Sequence, residues 1–188
     1  MSKTSVKKES TALYVLRLTF TLLLITSVVA VALAGINQVT APIIAASNEA
    51  KTQAAVNDVL TGGGTEIYRA TSKDDVIQIV YESETGYAIK VVSGGFGGAI
   101  EMMVGVSKDG EVLGISIIKH AETPSLGAVA ADKGSAGQSF RDSFIGLSGE
   151  IAVSKDGGEA DTISGATITS RAVADGVNAA LNWVKNQG

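Results

Sequence analysis

The stretch IEMMVGVSKDGEVLGISII, residues 100–118, decides the fold of this chain. Two apolar runs rich in β-branched residues flank the pair Asp109-Gly110. That pair is a strong signal for the two-residue turn of a β-hairpin. The sequence therefore predicts an antiparallel hairpin, and we expect its two strands near the centre of an antiparallel sheet.

Further strands are predicted on both sides of this hairpin. VIQIVY (76–81) and YAIKVVS (87–93) have the β-branched and aromatic content of strands and are separated by ESETG, which predicts a second hairpin. EIAVSKDGGEADTIS (150–164) predicts one more strand and a tight glycine-rich turn. The small, polar segment 135–143 predicts a loop or a short helix.

The last segment of the chain has the pattern of an amphipathic helix. Its apolar residues recur at the i, i+3, i+4, i+7 spacing, and Ser164 or Thr167 begins it. The residues on that stripe are Ala172, Val173, Gly176, Val177, Ala180, Leu181 and Val184. The fold class is therefore α+β, with a mostly antiparallel sheet and flanking helices.

A membrane anchor is predicted near the N-terminus. Residues 18–48 contain no charged residue, and 18–36 are predominantly apolar. At about 1.5 Å per residue, the apolar run matches the ~30 Å hydrocarbon core of a bilayer. A separate juxtamembrane helix is predicted over 47–60, because Ser47 is a good N-cap residue and glycines 62–64 end the pattern.

The charge distribution predicts the orientation of the anchor. The net charge of −4 comprises +3 in residues 1–17 and −7 in the remainder, so the positive-inside rule leaves the N-terminus in the cytoplasm. The alternative is a cleaved signal peptide, since Ala32-Leu33-Ala34 fits a signal cleavage site. Both interpretations place the body of the chain outside the cytoplasm. A lipoprotein is excluded because there is no cysteine to acylate.

These patterns divide the chain into four parts. Residues 1–17 are the cytoplasmic N-terminus, 18–39 a transmembrane helix, 40–70 a juxtamembrane helix and linker, and 71–188 an extracytoplasmic domain. The chain is thus predicted to be a single-pass protein of the cell (inner) membrane.

Composition excludes several classes of chemistry. Without cysteine the chain holds no disulfide, iron-sulfur cluster or c-type haem, and its single histidine, His120, rules out a multi-histidine metal site. One imidazole is also too little for most nucleophile-plus-base machinery. The acidic body repels phosphate backbones, which predicts that nucleic acid is not a partner.

The start of the last helix is the strongest candidate site. DTISGATITSRAVADGV (161–177) places Ser164, Thr167 and Thr169 around the pair Gly165-Ala166. A helix N-terminus offers unpaired N–H groups and positive potential, and Gly165 lets the backbone approach closely, so a phosphate group suits this position. The alternative is an ordinary capped helix, since serine and threonine are favoured N-caps.

Two separated segments resemble one known family. DTISGAT (161–167) resembles the D-x-x-[S/T]-G-A-T flavinylation motif, and residues 94–127 resemble the glycine-rich strand, hairpin and H-x-E-T-P-G-L-G loop of an FMN-binding domain. That domain is shared by the G subunit of the Rnf electron transport complex and the C subunit of the sodium-pumping NADH:quinone reductase. The short exported part favours the Rnf protein.

The resemblance implies covalently bound FMN. In that family a flavin transferase esterifies the FMN phosphate onto the last threonine of the motif, which is Thr167 here. The other residues assigned to the cofactor site, by the resemblance and by the helix start, are Gly95, Phe96, Gly97, Glu122, Thr123, Leu126, Gly127, Ser164, Gly165, Ala166 and Thr169.

Several of these positions leave alternatives open. Phe96 is either a stacking face for the flavin or a core residue beside a glycine bulge. Ser125 replaces a glycine of the family pattern and is strained if the position needs a positive φ. Arg171 faces either the flavin phosphate or solvent. The H-x-E pattern at 120–122 gives two ligands without a third, which argues against a metal site. His120 is interpreted as a structural residue, with a proton donor as the alternative.

The function implied is that of an electron-carrying subunit without substrate turnover of its own. The complex would pass electrons between ferredoxin and NAD and couple this to ion translocation, with other membrane and peripheral subunits as partners. The alternatives are the C subunit of the quinone reductase and a lone membrane-anchored FMN-binding sensor or adaptor.

Overall fold

The computed structural model describes residues 11–72 and 75–187. Within these residues five antiparallel strands form one sheet in the order β1-β2-β3-β4-β5, so each strand pairs with its neighbour in the chain. The strands are β1 (Thr65–Arg69), β2 (Ile77–Glu82), β3 (Gly86–Gly94), β4 (Ala99–Ser107) and β5 (Val112–Lys119). The helices are α1 (Thr11–Val59), α2 (Ser135–Asp142) and α3 (Thr167–Lys185). The predicted α+β class is confirmed.

Helix α1 is longer than the sequence predicts. It runs without interruption from Thr11 to Val59, with Pro42 inside it, and it is the one helix of the described residues that is long and apolar enough to cross a membrane. The prediction of a separate helix beginning at Ser47 is wrong. Alanine-rich sequence on both sides of Ser47 favours helix, so its N-cap potential is not used.

Both predicted hairpins are confirmed. Strands β2 and β3 pair antiparallel, as do β4 and β5. The turn of the second hairpin is longer than the predicted two residues, because the Ser107 N–H donates to the Glu111 carbonyl at 2.8 Å and residues 108–110 form the loop. Gly110 supplies the left-handed position of that loop, with a φ of 83°. The expectation that both strands of the second hairpin are central holds only for β4. In the part of the chain that the structure describes, β5 is an edge strand, flanked by α2 and a 3₁₀ turn at Gly127–Ala131.

The sheet is covered on its two faces by different helices of the compact domain, which begins at Glu49. Helix α3 packs on one face, where a side chain at Gly176 would overlap Met102 and crowd Val91, so glycine is what lets the helix come so close. On the other face the last turn of α1 buries Val56 and Val59. Each such buried side chain contributes about 1.5–3 kcal/mol.

The strand predicted in residues 150–164 does not form. Only an isolated bridge between Val153 and Ala160 and a short 3₁₀ turn, Ser154–Asp156, appear there. The side chain of Asn178 on α3 accepts a hydrogen bond from the Ile151 N–H and donates one to its carbonyl, each at 2.8 Å. Because one amide satisfies both main-chain groups of Ile151, this residue needs no strand partner.

The loop after β5 contains a strained residue. Ser125 has a φ of 61°, and no other non-glycine residue among the described ones has a positive φ. The expectation that a serine in place of glycine is strained here is therefore confirmed, because an L-residue in this region places its Cβ too close to the following carbonyl.

We expect Ser125→Gly to stabilise the protein. Relief of the left-handed strain, less the greater entropy of glycine in the unfolded chain, raises the free energy of unfolding by about 0.5–1 kcal/mol. The control is Ser139→Gly, an exposed position within α2, which lowers it by a similar amount. Thermal unfolding of the full chain in detergent, followed by circular dichroism, measures both. A lower midpoint for Ser125→Gly would contradict the strain.

We expect Asn178→Ala to destabilise the protein by about 1–3 kcal/mol, because it leaves the part-buried main-chain groups of Ile151 without partners. Asn182→Ala, one turn further along α3 and exposed, is the matched control and changes stability by less than about 0.5 kcal/mol. Equal unfolding midpoints for the two variants would show that the amide does not hold the 150–164 segment.

Candidate functional site

Three segments that are distant in sequence meet at one pocket of about 330 Å³. They are the glycine-rich turn between β3 and β4, the loop that follows β5, and the first turn of α3. The lining residues are Phe96, Glu122, Thr123, Leu126, Gly165, Ala166, Thr167, Ile168 and Thr169. The volume is within the range of ~300–1,000 Å³ that is usual for small-molecule sites.

The carboxylate of Glu122 joins the three segments. Its Oε1 accepts a hydrogen bond from the Gly97 N–H at 2.9 Å, and its Oε2 accepts one from the Thr169 hydroxyl at 2.5 Å. Its side chain is buried, with 6% exposure. Side chains at Gly95 or Gly127 would overlap this carboxylate, so these two glycines make room for it.

The glycine-rich turn also packs directly on the loop that contains Glu122. A side chain at Gly97 would overlap the backbone carbonyl of Ala121. Glycine there allows the two backbones to approach and brings the Gly97 N–H within reach of Glu122. The predicted glycines 95, 97 and 127 therefore shape the pocket from behind and do not line it.

Helix α3 begins at Thr167, and no side chain caps it. The prediction that Ser164 or Thr167 begins the helix is confirmed for Thr167. The alternative of an ordinary helix capped by a serine or threonine side chain is excluded, since Ala166 occupies the N-cap position. The first helical hydrogen bond runs from the Ser170 N–H to the Ala166 carbonyl at 3.0 Å, so the N–H groups of residues 167–169 have no acceptor within the helix. Thr167 is half-buried and lines the pocket, whereas Ser164 is exposed outside it.

Gly165 sets the path of the chain into the helix. Its φ of 76° is in the left-handed region, where glycine carries no steric penalty. An added Cβ would come within 3.1 Å of Leu126 Cδ2 on the opposite wall. Glycine at this position therefore keeps the pocket open beside Thr167.

Three large apolar side chains border the pocket and remain exposed. Phe96 is 69% exposed, Ile168 51% and Leu126 44%. The interpretation of Phe96 as a core residue is excluded by that exposure, which leaves its ring available to a ligand. Apolar and aromatic side chains combined with a small number of polar groups are typical of small-molecule sites.

Charged groups are scarce at this site. Glu122 is the one charged side chain among the lining residues. Arg171 is exposed and makes a bidentate ion pair with Asp156 at 2.6 and 2.7 Å, which holds the pKa of the Asp156 carboxyl below its usual value. The side chain of Arg171 thus contacts the 3₁₀ turn Ser154–Asp156 and is not part of the pocket lining.

His120 has a structural contact. Its Nδ1 accepts a hydrogen bond from the Glu122 N–H at 3.2 Å and fixes the loop that presents the carboxylate. The interpretation of His120 as a structural residue agrees with this contact.

A larger, more polar groove of about 800 Å³ lies near the other end of α3, bordered by Lys108, Asn178 and Lys185. It contains none of the residues predicted for the site. The smaller pocket, where the predicted residues converge, is the better candidate.

Sequence reasoning missed Ile168. This residue lies four positions before Ala172 and so continues the core stripe of α3. The pattern predicts a buried residue, but the first turn of the helix lies at the pocket, where half of the side chain is exposed. The sequence contains no signal that distinguishes Ile168 from the buried residues of the same stripe.

Comparison with known proteins agrees with this geometry. The FMN-binding domain family matches residues 95–182, which include every residue that lines the pocket. The G subunit of the proton-translocating ferredoxin:NAD(+) oxidoreductase complex of Clostridium ljungdahlii is 35% identical over 156 residues, which cover 81% of this chain and 82% of that protein.

Two further relatives match over a shorter span. The G subunit of the Na(+)-translocating ferredoxin:NAD(+) oxidoreductase complex of Acetobacterium woodii is 36% identical over 129 residues, 64% of this chain and 56% of that protein. The G subunit of the ion-translocating oxidoreductase complex of Cereibacter sphaeroides is 38% identical over 125 residues, 63% of this chain and 52% of that protein. The chain thus spans about half the length of these two relatives and most of the first.

An FMN-binding domain family match and a relative that aligns over four fifths of both chains identify the family. The chain belongs to the family of G subunits of ion-translocating oxidoreductase complexes of the Rnf type.

Proposed function

We propose that this chain is the electron-carrying G subunit of a membrane-bound, ion-translocating ferredoxin:NAD oxidoreductase, and that it carries FMN as a phosphoester on Thr167. The observation that carries the proposal is the position of Thr167. Its side chain lies in the wall of an apolar pocket and at the N-terminus of α3. The names of the relatives support the kind of complex.

The residues present fit the cofactor. The N–H groups of residues 167–169 have no acceptor within the helix and are available to a phosphate on Thr167, whose negative charge the helix dipole would stabilise by about 0.3–1 kcal/mol. Phe96, Leu126 and Ile168 offer the apolar contact that an isoalloxazine ring needs. Bound FMN supplies reversible electron uptake, which the side chains of this chain cannot provide.

The composition of the lining supports a covalent attachment. None of the nine lining residues is a lysine or an arginine, so helix α3 alone holds a free phosphate. Outside the cytoplasm there is no pool of FMN from which a lost cofactor is replaced. An ester at Thr167, made by a flavin transferase, prevents that loss.

The protein residues then have positioning roles. The glycine turn and the loop at 120–126 exclude water from one side of the cofactor, and Thr167 fixes its phosphate end. No residue of the pocket is assigned a proton transfer or a bond cleavage. Other subunits, which hold the ferredoxin and NAD sites, donate electrons to the flavin and accept electrons from it.

We further propose that residues 18–39, within α1, span the inner membrane once, with residues 1–17 in the cytoplasm and the domain outside. The basic N-terminal segment and the acidic body support this orientation. The relatives are named for different ions, proton in one and sodium in another, so the coupling ion is left out of the proposal.

The alternative assignment to the C subunit of a sodium-pumping quinone reductase, or to a lone sensor or adaptor, is less favoured, because the three relatives described above are named as G subunits of larger complexes. Affinity purification of the full chain from its own membranes separates the three. The proposal predicts co-purification of ferredoxin- and NAD-linked subunits.

We expect Thr167→Ala to abolish the flavin fluorescence that stays with the denatured protein band, because the ester oxygen is missing. Thr162→Ala, which removes a hydroxyl at a variable position of the same motif and outside the pocket lining, is the matched control and retains it. Both chains are produced together with a flavin transferase and compared on one gel. Fluorescence of equal strength in Thr167→Ala and wild type would contradict the attachment.

We expect the C-terminus to lie outside the cytoplasm. A reporter enzyme that folds only after export is active when it is fused to the C-terminus of the full chain. The same reporter is inactive when it is fused to the N-terminus of the full chain. Activity of the N-terminal fusion alone would reverse the proposed orientation.

A further inference from the structure

Glu122 is a buried carboxylate that forms no ion pair with any cationic side chain of the described residues. Its two oxygen atoms are bound by a backbone N–H and a hydroxyl, both neutral donors. The ion pairs formed among the described residues involve Glu66, Glu101 and Asp156 as the acids and leave Glu122 out. A charge that is buried and not neutralised is costly, so its retention in the wall of the pocket needs an explanation.

A purely mechanical role does not require a charge. The link between the glycine turn and α3 needs an acceptor for the Gly97 N–H and one for the Thr169 hydroxyl, and neutral oxygen atoms serve as acceptors too. The surroundings are nevertheless arranged for the carboxylate. Both of its oxygens accept hydrogen bonds, and side chains are absent at Gly95 and Gly127, where they would overlap it.

The position of this charge suggests its effect. Glu122 lines the same pocket as Thr167, and the pocket lining contains no opposite charge. In a site shielded from water, such a charge acts on a neighbouring group more strongly than it does in solvent. Any group in the pocket that gains negative charge is therefore disfavoured.

We propose that Glu122, besides positioning the pocket walls, sets the reduction potential of the bound flavin at a low value by the negative charge of its carboxylate. This inference rests on the proposed function. Two-electron reduction of the flavin takes up two electrons from the ferredoxin- or nicotinamide-linked partner and one or two protons from solvent. When one proton is taken up, the product has one more negative charge than the oxidised form, and the carboxylate opposes that charge.

The experiment compares three variants of the full chain, each produced with a flavin transferase and purified in detergent. Glu122→Gln keeps the shape and removes the charge. Glu122→Asp keeps the charge and shortens the reach to Gly97 and Thr169. Thr169→Val keeps the shape and removes a hydrogen bond that stabilises the charge. The ratio of reduced to oxidised flavin is measured by absorbance, in equilibrium with a redox dye at one fixed pH for all variants.

We expect Glu122→Gln to raise that ratio at least tenfold at a fixed ambient potential, which corresponds to about +30 mV for a two-electron couple. Glu122→Asp stays within about threefold of wild type, although it loosens the pocket and lowers the unfolding midpoint. In Thr169→Val the ratio falls, because the charge has lost a donor. If Glu122 only positioned the pocket walls, the reduction potential would change whenever the pocket is loosened. The potential of Glu122→Asp would then shift as far as that of Glu122→Gln.

A potential of Glu122→Gln equal to that of wild type would overturn the inference. If Glu122→Gln does not fold or does not accept flavin, Thr169→Val provides the test. A ratio of reduced to oxidised flavin in Thr169→Val that is equal to or higher than in wild type would then overturn the inference. Failure of the proposed function has a different signature, since wild type itself would then hold no flavin.

Discussion

The site depends on one carboxylate that binds two donors from different parts of the chain. Gly97 is 25 residues before Glu122 and Thr169 is 47 residues after it, yet both donate to its oxygen atoms. Each hydrogen bond to a charged group contributes about 1.5–3 kcal/mol, which is enough to fix loops that have few backbone bonds of their own. These two hydrogen bonds are direct polar contacts that link the three walls of the pocket.

The rest of the fold places that junction. The sheet and α3 are held by close packing at Gly176 against Met102, so the direction of the helix is fixed by the core. Its N-terminus then lies beside the loop that follows β5, where the chain has free N–H groups and the Thr167 hydroxyl. A chain without cysteine and with a single histidine thereby gains a place for a redox cofactor that it cannot replace with its own side chains.

Local signals predicted the regular elements well, and distant contacts explain what they missed. The hairpin at Asp109-Gly110 and the stripe from Ala172 to Val184 depend on neighbouring residues, so pattern and structure agree on these elements, although the hairpin loop has three residues instead of the predicted two. The strand expected in 150–164 is replaced by the side chain of Asn178, a contact 27 residues away that no local pattern contains. At the site, the motif predicted Thr167, whereas the junction at Glu122 and the exposure of Ile168 follow only from the three-dimensional packing.

The most direct test of the central claim is the intact mass of the full chain, purified after production with a flavin transferase, followed by peptide mapping of the adduct. The account predicts a mass increase of one FMN less one water, located on Thr167 and absent from the other hydroxyls of the 161–170 segment. A mass equal to that of the polypeptide alone, or an adduct on another residue, would contradict it.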